Sequence, residues 1–128
     1  MRRAILSAED LQTEEVEVPE WDLILTIKGL SGAERDRYEQ SLVKDGKRGA
    51  VKMNMQNMRA RLVALTVVDG QNKRVFHDRE IIDLGQKSAV ALQRVVEVAQ
   101  RLSGIGDNDL EELAENFEEG QSEDSTSG

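Results

Sequence analysis

Apolar and polar residues alternate most regularly near the beginning of the chain. Between Trp21 and Ile27 every second residue is large and apolar, as in a strand with one buried face. The twenty residues before this stretch are polar and rich in glutamate around Pro19, the only proline. The pattern predicts an extended or weakly ordered arm followed by a short strand.

Helical spacing begins after this strand. Ser31 and Glu34 have the spacing of a capping box, in which each side chain accepts a hydrogen bond from the other residue's backbone amide. They predict a surface helix that runs to about Lys44 and stops at Gly46. A second helix is predicted to begin near residue 51. Its expected buried face consists of Val51, Met55, Met58, Leu62 and Leu65.

The end of this second helix has two interpretations. The β-branched stretch over residues 65–68 can finish the helix, or it can form a strand that turns at Asp69 and Gly70 and returns through Arg74 to Phe76. The local pattern does not decide between a helix end and a hairpin over residues 65–76.

Three further helices are predicted in the second half of the chain. Asp78 can cap a short helix that Gly85 closes. Ser88 opens the most amphipathic helix, which we expect to form the centre of the core and to end at a left-handed Gly104. A last, acidic helix is predicted from Asn108. Its narrow apolar stripe consists of Leu110, Leu113 and Phe117.

Together these elements predict a mainly α (α+β) fold, a small helical domain with a short N-terminal strand or hairpin and a flexible acidic C-terminal tail. The predicted organisation is a flexible N-terminal arm over residues 1–15, a helix-rich core domain over 16–104, an acidic C-terminal helix over 105–118 and a disordered tail over 119–128. A chain of 128 residues has room for one such core.

Composition favours an aliphatic, helical interior. Hydrophobic residues make up 38% of the chain but aromatic residues only 3%, so aliphatic side chains must fill the core. The absence of cysteine excludes disulfides and thiolate chemistry. No segment approaches the roughly 20 apolar residues of a membrane helix, and the start lacks a signal-peptide pattern. We therefore expect a soluble, unexported protein without membrane contact.

The net charge of −8 is spread unevenly along the chain. Residues 1–27 carry a net charge of −5, residues 28–101 carry +6, and residues 102–128 carry −9 with no basic side chain. An acidic total argues against nucleic acid as the main partner, because duplex binding depends on neutralising phosphates. The basic middle keeps a small nucleic-acid-binding regulator open as an alternative.

Reactive groups are scarce. His77 has Asp78, Glu80 and Asp83 nearby, but no second nitrogen or sulfur ligand stands with it to complete a transition-metal site. The loop over residues 46–49 lacks the spacing of a phosphate-binding loop. The clustered carboxylates lie on polar segments that water covers. We therefore expect no catalytic residue, no cofactor and no metal, and a protein that is not an enzyme.

Two apolar groups are candidates for contact with another polypeptide. Methionine adapts to varied partner helices, although filling the core is its commoner use. The acidic residues around the C-terminal stripe would keep an undocked helix soluble, so this stripe can pack on its own core or on another protein. The candidate partner-binding residues are Met53, Met55, Met58, Leu110, Leu113 and Phe117.

The order of segments resembles that of tail assembly chaperones from long-tailed bacteriophages. No single segment is diagnostic, and the resemblance depends on the ordered series over roughly residues 16–117. The segments are VEVPEW at 16–21, LSGAERD at 30–36, ARLVALTVVDG at 60–70, KRVF at 73–76, LGQKSA at 84–89 and DLEEL at 109–113.

The resemblance implies a chaperone of viral morphogenesis in the host cytoplasm. Such a protein binds the tape measure protein, keeps it soluble, helps recruit the tail tube protein and is absent from the finished virion. It implies neither nucleic acid nor membrane as a partner, and it leaves open a homo-oligomer and a longer frameshifted product. The alternative is a structural tail or connector component, which mass spectrometry of purified virions would distinguish.

Overall fold

The computed structural model describes residues 1–45, 51–53 and 57–106, and the statements on structure refer to these residues. Single 3₁₀ turns, Pro19–Trp21 and Asp78–Glu80, precede β2 and α4. In chain order the elements are α1 (Arg2–Leu6), β1 (Thr13–Val18), β2 (Leu23–Lys28), α2 (Gly32–Ser41), β3 (Val43–Asp45), β4 (Val51–Met53), α3 (Met58–Thr66), β5 (Val67–Val68), α4 (Ile81–Gly85) and α5 (Ala89–Leu102).

An antiparallel sheet with the strand order β1-β2-β5 forms one layer of the fold. β1 pairs with β2 from Thr13 opposite Lys28 to Val18 opposite Leu23, and β5 pairs with the other edge of β2. α5 packs across β1 and β2. The prediction of a mainly α fold is therefore wrong, because the described chain combines five α-helices with a three-stranded antiparallel sheet as an α+β fold.

β1 is the strand that the sequence pattern missed. Three of its six residues are glutamates, a residue type depleted in strands, so residues 1–20 were predicted as an arm. In the fold, Val16 and Val18 turn toward the core while Glu15 and Glu17 are exposed. Burial on one face therefore outweighs the low strand propensity of the glutamates.

A second antiparallel pair, β3 with β4, changes two predicted helix boundaries. α2 ends at Ser41, before the predicted Lys44, because Val43–Asp45 pairs with Val51–Met53. The second helix was predicted from residue 51 but begins at Met58, after Asn57 with a positive φ of 58°. The apolar spacing predicted a helix from residue 51, but residues 51–53 pair as a strand and the helix begins only at Met58.

Residues 65–76 form both structures that the sequence left open, a helix end and a strand that turns back. α3 continues to Thr66, and the chain then extends as β5 and turns back so that Val68 and Arg74 form an isolated bridge. The Asp69 carboxylate accepts hydrogen bonds from the amides of Lys73 and Gln71, and these bonds hold the pKa of Asp69 below its usual value. Helix end and hairpin therefore follow one another.

The amphipathic helix predicted from Ser88 is confirmed as α5. The Ser88 hydroxyl accepts a hydrogen bond from the Ala91 amide, and Gly104 ends the helix with φ +70°. The Ile105 amide donates to the Gln100 carbonyl at 2.8 Å, which is the long bond of a Schellman motif. The core-facing residues of α5 are Ala91, Leu92, Val95, Val96 and Ala99.

The end of β2 is held against the end of α5. A Cβ on Gly29 would lie 2.6 Å from the Leu102 carbonyl oxygen, so only glycine permits this approach. The Leu30 amide donates to the Ser103 hydroxyl at 3.0 Å. Sheet and helix thus share one core, whose fully buried large residues include Ile27, Leu42, Leu62, Val18 and Val63.

Candidate partner-binding surface

Exposed apolar side chains concentrate at the start of the chain. Among the described residues nine large apolar side chains are exposed, and six of these lie within the first 24 residues. The six are Met1, Ile5, Leu6, Leu11, Leu23 and Ile24. Exposed apolar residues mark a protein-binding surface where the fold brings them together.

α1 contributes the most exposed part of this cluster. None of its five residues is buried, and Ile5 is 66% exposed. The helix ends where the Ser7 hydroxyl donates to the Arg3 carbonyl at 2.6 Å. A helix of this length is marginal in water without packing, because nucleation outweighs the few hydrogen bonds formed. α1 is therefore an element that contact with a partner would stabilise.

The sheet presents a second part of the cluster. Directly opposite residues of an antiparallel pair share a face, and α5 lies against the face that carries Val16 and Val18. The other face carries Glu15 and Glu17 beside Ile24, which is 68% exposed. We call the six exposed residues of α1, its flanking segments and β2 the N-terminal apolar surface. Of its two members in β2, Ile24 lies on the face away from α5, whereas Leu23, opposite Val18, lies on the α5 side.

Ion pairs fix the strand behind this surface to α5. Glu20 accepts three hydrogen bonds from Arg94 at 2.9 to 3.1 Å, and Glu14 accepts one from Arg101. Hydrogen bonding to these guanidinium groups lowers the pKa of both carboxyl groups. The segment from β1 to the following 3₁₀ turn is thus held to the basic helix α5.

A groove runs between α3 and the outer side of α5. It encloses about 490 Å³ and is lined by Arg59, Ala89, Val90, Gln93, Arg94 and Glu97. A smaller hollow of about 190 Å³ shares Arg59 and Ala89 with it and adds Met58, Lys87 and Leu92. We call the groove and the hollow together the basic groove.

The residues predicted for partner binding are only partly covered by the described chain. Met58 is half-buried, packs against the core and lines the hollow of the basic groove. Met53 is paired with Val43 in β4. Four of the six, Met55, Leu110, Leu113 and Phe117, lie outside the described residues.

Sequence reasoning missed the N-terminal apolar surface. Met1 and Ile5 are four residues apart, the spacing of neighbours on one helical face, and this was the available signal. This signal is weak because α1 is short and is followed by a polar stretch. The alternation from Trp21 to Ile27 places Ile24 on the outer side of the strand, but it gave no sign that Leu23, on the side predicted to be buried, is also exposed.

His77 lies at an exposed position before the 3₁₀ turn, and its amide donates to the Glu80 carboxylate at 2.8 Å. Within residues 1–45, 51–53 and 57–106, no group of three His, Cys, Asp or Glu side chains is placed to hold a metal ion. No helix in the same part of the chain is long and apolar enough to cross a membrane.

These features define a small α+β protein that exposes apolar side chains on an ordered support, as proteins that bind other polypeptides do. A family model described as phage tail assembly chaperone matches residues 1–119. The chain belongs to the phage tail assembly chaperone family, and this confirms the resemblance noted in the sequence. Comparison with curated proteins and with solved structures gives no match.

Proposed function

We propose that the protein binds the tape measure protein in the host cytoplasm, keeps it soluble and helps recruit tail tube subunits. Membership of the chaperone family supports an assembly role, and the N-terminal apolar surface supplies a place for contact. The role needs neither catalysis nor a cofactor, because holding an aggregation-prone chain requires only complementary surface.

The single observation that carries this proposal is the concentration of exposed apolar residues at α1 and β2. A long helical partner presents apolar stripes that must be covered before assembly. Burying one large aliphatic side chain is worth about 1.5–3 kcal/mol, so a few such residues give useful affinity. Arg2 and Arg3 flank the apolar residues of α1 and would favour acidic positions on the partner.

The test is co-expression with the tape measure protein of the same phage. We expect the wild-type chain to keep the tape measure protein soluble and to co-purify with it. Ile5→Ser should weaken the complex roughly tenfold or more, because one buried aliphatic contact is lost. The stability of the free chaperone should change little, since Ile5 is 66% exposed and no residue of α1 is buried.

Ile82→Ser is the matched control. Ile82 is 67% exposed, close to the value for Ile5, but it lies in α4, outside the N-terminal apolar surface. This variant should bind as the wild type does. Equal solubility of the tape measure protein with and without the chaperone would contradict the proposed function. Equal loss in both variants would contradict the assignment to the N-terminal surface.

A further inference from the structure

Among the described residues, three basic side chains and one carboxylate line the basic groove. Within the described residues neither Arg59 nor Lys87 forms an ion pair. Arg59 donates a hydrogen bond to the uncharged side-chain oxygen Oε1 of Gln93, at 2.8 Å. Arg94 is paired with Glu20, and among the described residues Glu97 is the one carboxylate that lines the groove. The groove is therefore suited to an acidic occupant.

Two helices add to this charge. α3 and α5 both begin at the groove, at Met58 and Ala89, and helix N-termini carry partial positive charge. The side chain of Asn57, at the N-cap of α3, makes no capping hydrogen bond. Acidic side chains placed here would be favoured by both helix dipoles.

The groove also has an apolar floor. Val90 is 58% exposed beside Ala89, and Met58 and Leu92 line the adjoining hollow. An occupant that combines large apolar residues with carboxylates would match this surface. A purely acidic peptide would leave Val90 in water.

The chain itself contains a segment of this chemistry. Beyond Leu102 it has nine acidic residues and no basic one. Leu110, Leu113 and Phe117 have helical spacing, and Glu111, Glu112, Glu115, Glu118 and Glu119 flank them. We propose that residues 107–119 dock on the basic groove of the same chain as an amphipathic helix.

The length of the segment allows this contact. α5 has fourteen residues and is about 21 Å long, and its last turn ends near the start of the segment. A helix from residue 107 that runs antiparallel to α5 rises about 16 Å by Phe117. Such a helix would bring Phe117 to the level of Val90, which lies near the start of α5.

This docking is independent of the tape measure protein and can be tested on the full chain alone. The chain has no cysteine, so Ser122→Cys gives a unique site for a nitroxide spin label. In ¹⁵N-labelled protein, we expect the label to attenuate the amide signals of Val90 and Gln93. The attenuation should be lost in Val90→Asp and in Phe117→Ser, and should persist in the control Ile82→Asp.

The docked segment could belong to the same chain or to another copy. A mixture of spin-labelled chain without ¹⁵N and ¹⁵N-labelled chain without the spin label distinguishes these two cases. Docking within one chain predicts no attenuation in the mixture. Attenuation in the mixture would show exchange between copies and would overturn the proposal. Attenuation absent from the singly labelled chain, or confined to residues outside the groove, would also overturn it. Circular dichroism of each variant verifies that the fold is kept.

Discussion

Tyr38 is a buried aromatic residue on a helix that is otherwise largely exposed. It is the only tyrosine, and its side chain is 2% exposed on α2, a helix whose other residues are mostly in contact with water. Burial raises the pKa of the Tyr38 hydroxyl to about 12, while the positive charge of Arg61 acts in the opposite direction. The native state therefore favours the protonated phenol.

This raised pKa predicts a loss of stability in alkali. Below pH 10 both states hold the proton, so the contribution of Tyr38 is fully present. Between pH 10 and about pH 12 the unfolded chain ionises first, and the free energy of unfolding should fall by ~3 kcal/mol in total. Urea unfolding measured across this range tests the expectation, with tyrosinate absorbance reporting the single phenol directly.

Tyr38→Phe is the control for alkaline titration. It keeps the aromatic volume and removes the ionisable hydroxyl, so its stability should depend less on pH above 10. Arginine and lysine titrate in both proteins and cancel in the comparison. A wild-type absorbance midpoint near pH 10 in the folded protein would contradict the buried state of Tyr38.

Helix caps could be predicted from the sequence, because they depend on residues only a few positions apart. Ser31, Ser88 and Gly104 were identified as helix ends, because a cap depends on neighbours three or four residues away. The burial of Tyr38 and the positive φ of Asn57 were not identified. Both depend on elements that are distant in sequence and that local patterns do not reveal.

At the scale of elements, the capping box of α2 is the clearest local device. The Ser31 hydroxyl accepts from the Glu34 amide at 3.2 Å, and the Glu34 carboxylate accepts from the Ser31 amide at 2.9 Å. Ser31→Ala should lower the free energy of unfolding by about 1 kcal/mol, because one N-terminal amide loses its acceptor. Chemical denaturation measures this difference.

Ser41→Ala is the matched substitution at the other end of α2. The Ser41 hydroxyl donates to the Tyr38 carbonyl at 2.6 Å, so its removal leaves no backbone amide without a partner. We expect a smaller effect, within about 0.5 kcal/mol. Equal destabilisation by both substitutions would contradict the capping role of Ser31.

Helices were easier to predict than strands for a physical reason. α5 has its apolar residues on one face, so its burial can be read from its own sequence. β1 becomes a strand through pairing with β2 and packing under α5. The stretch 51–53 matched a helical pattern yet pairs as β4, since short apolar runs fit both periods.

At the scale of the whole molecule, charge is divided between segments that the fold brings together. Glu14 and Glu20 of the acidic N-terminal segment pair with Arg101 and Arg94 of the basic middle. The family could be predicted from the order of segments, but the N-terminal apolar surface could not. Its position depends on which faces α5 covers, and that is a property of the assembled fold.

The acidic C-terminal segment should keep the protein dispersed at neutral pH. Replacing its nine carboxylates by the corresponding amides changes the net charge from −8 to +1. Repulsion between molecules is then almost absent, and the N-terminal apolar surface can drive self-association. We expect light scattering at pH 7 and low ionic strength to show larger species for this variant and monodisperse wild type.

Neutralising only Glu123 and Asp124 provides the control, since the net charge becomes −6 and repulsion persists. This variant should scatter as the wild type does. Adding Ile5→Ser to the ninefold variant should reduce association, because the contact then lacks one of its apolar residues. If the ninefold variant is as monodisperse as the wild type, net charge is not what prevents self-association. In that case the exposed residues of α1 would bind a complementary partner surface and not another copy of the same chain.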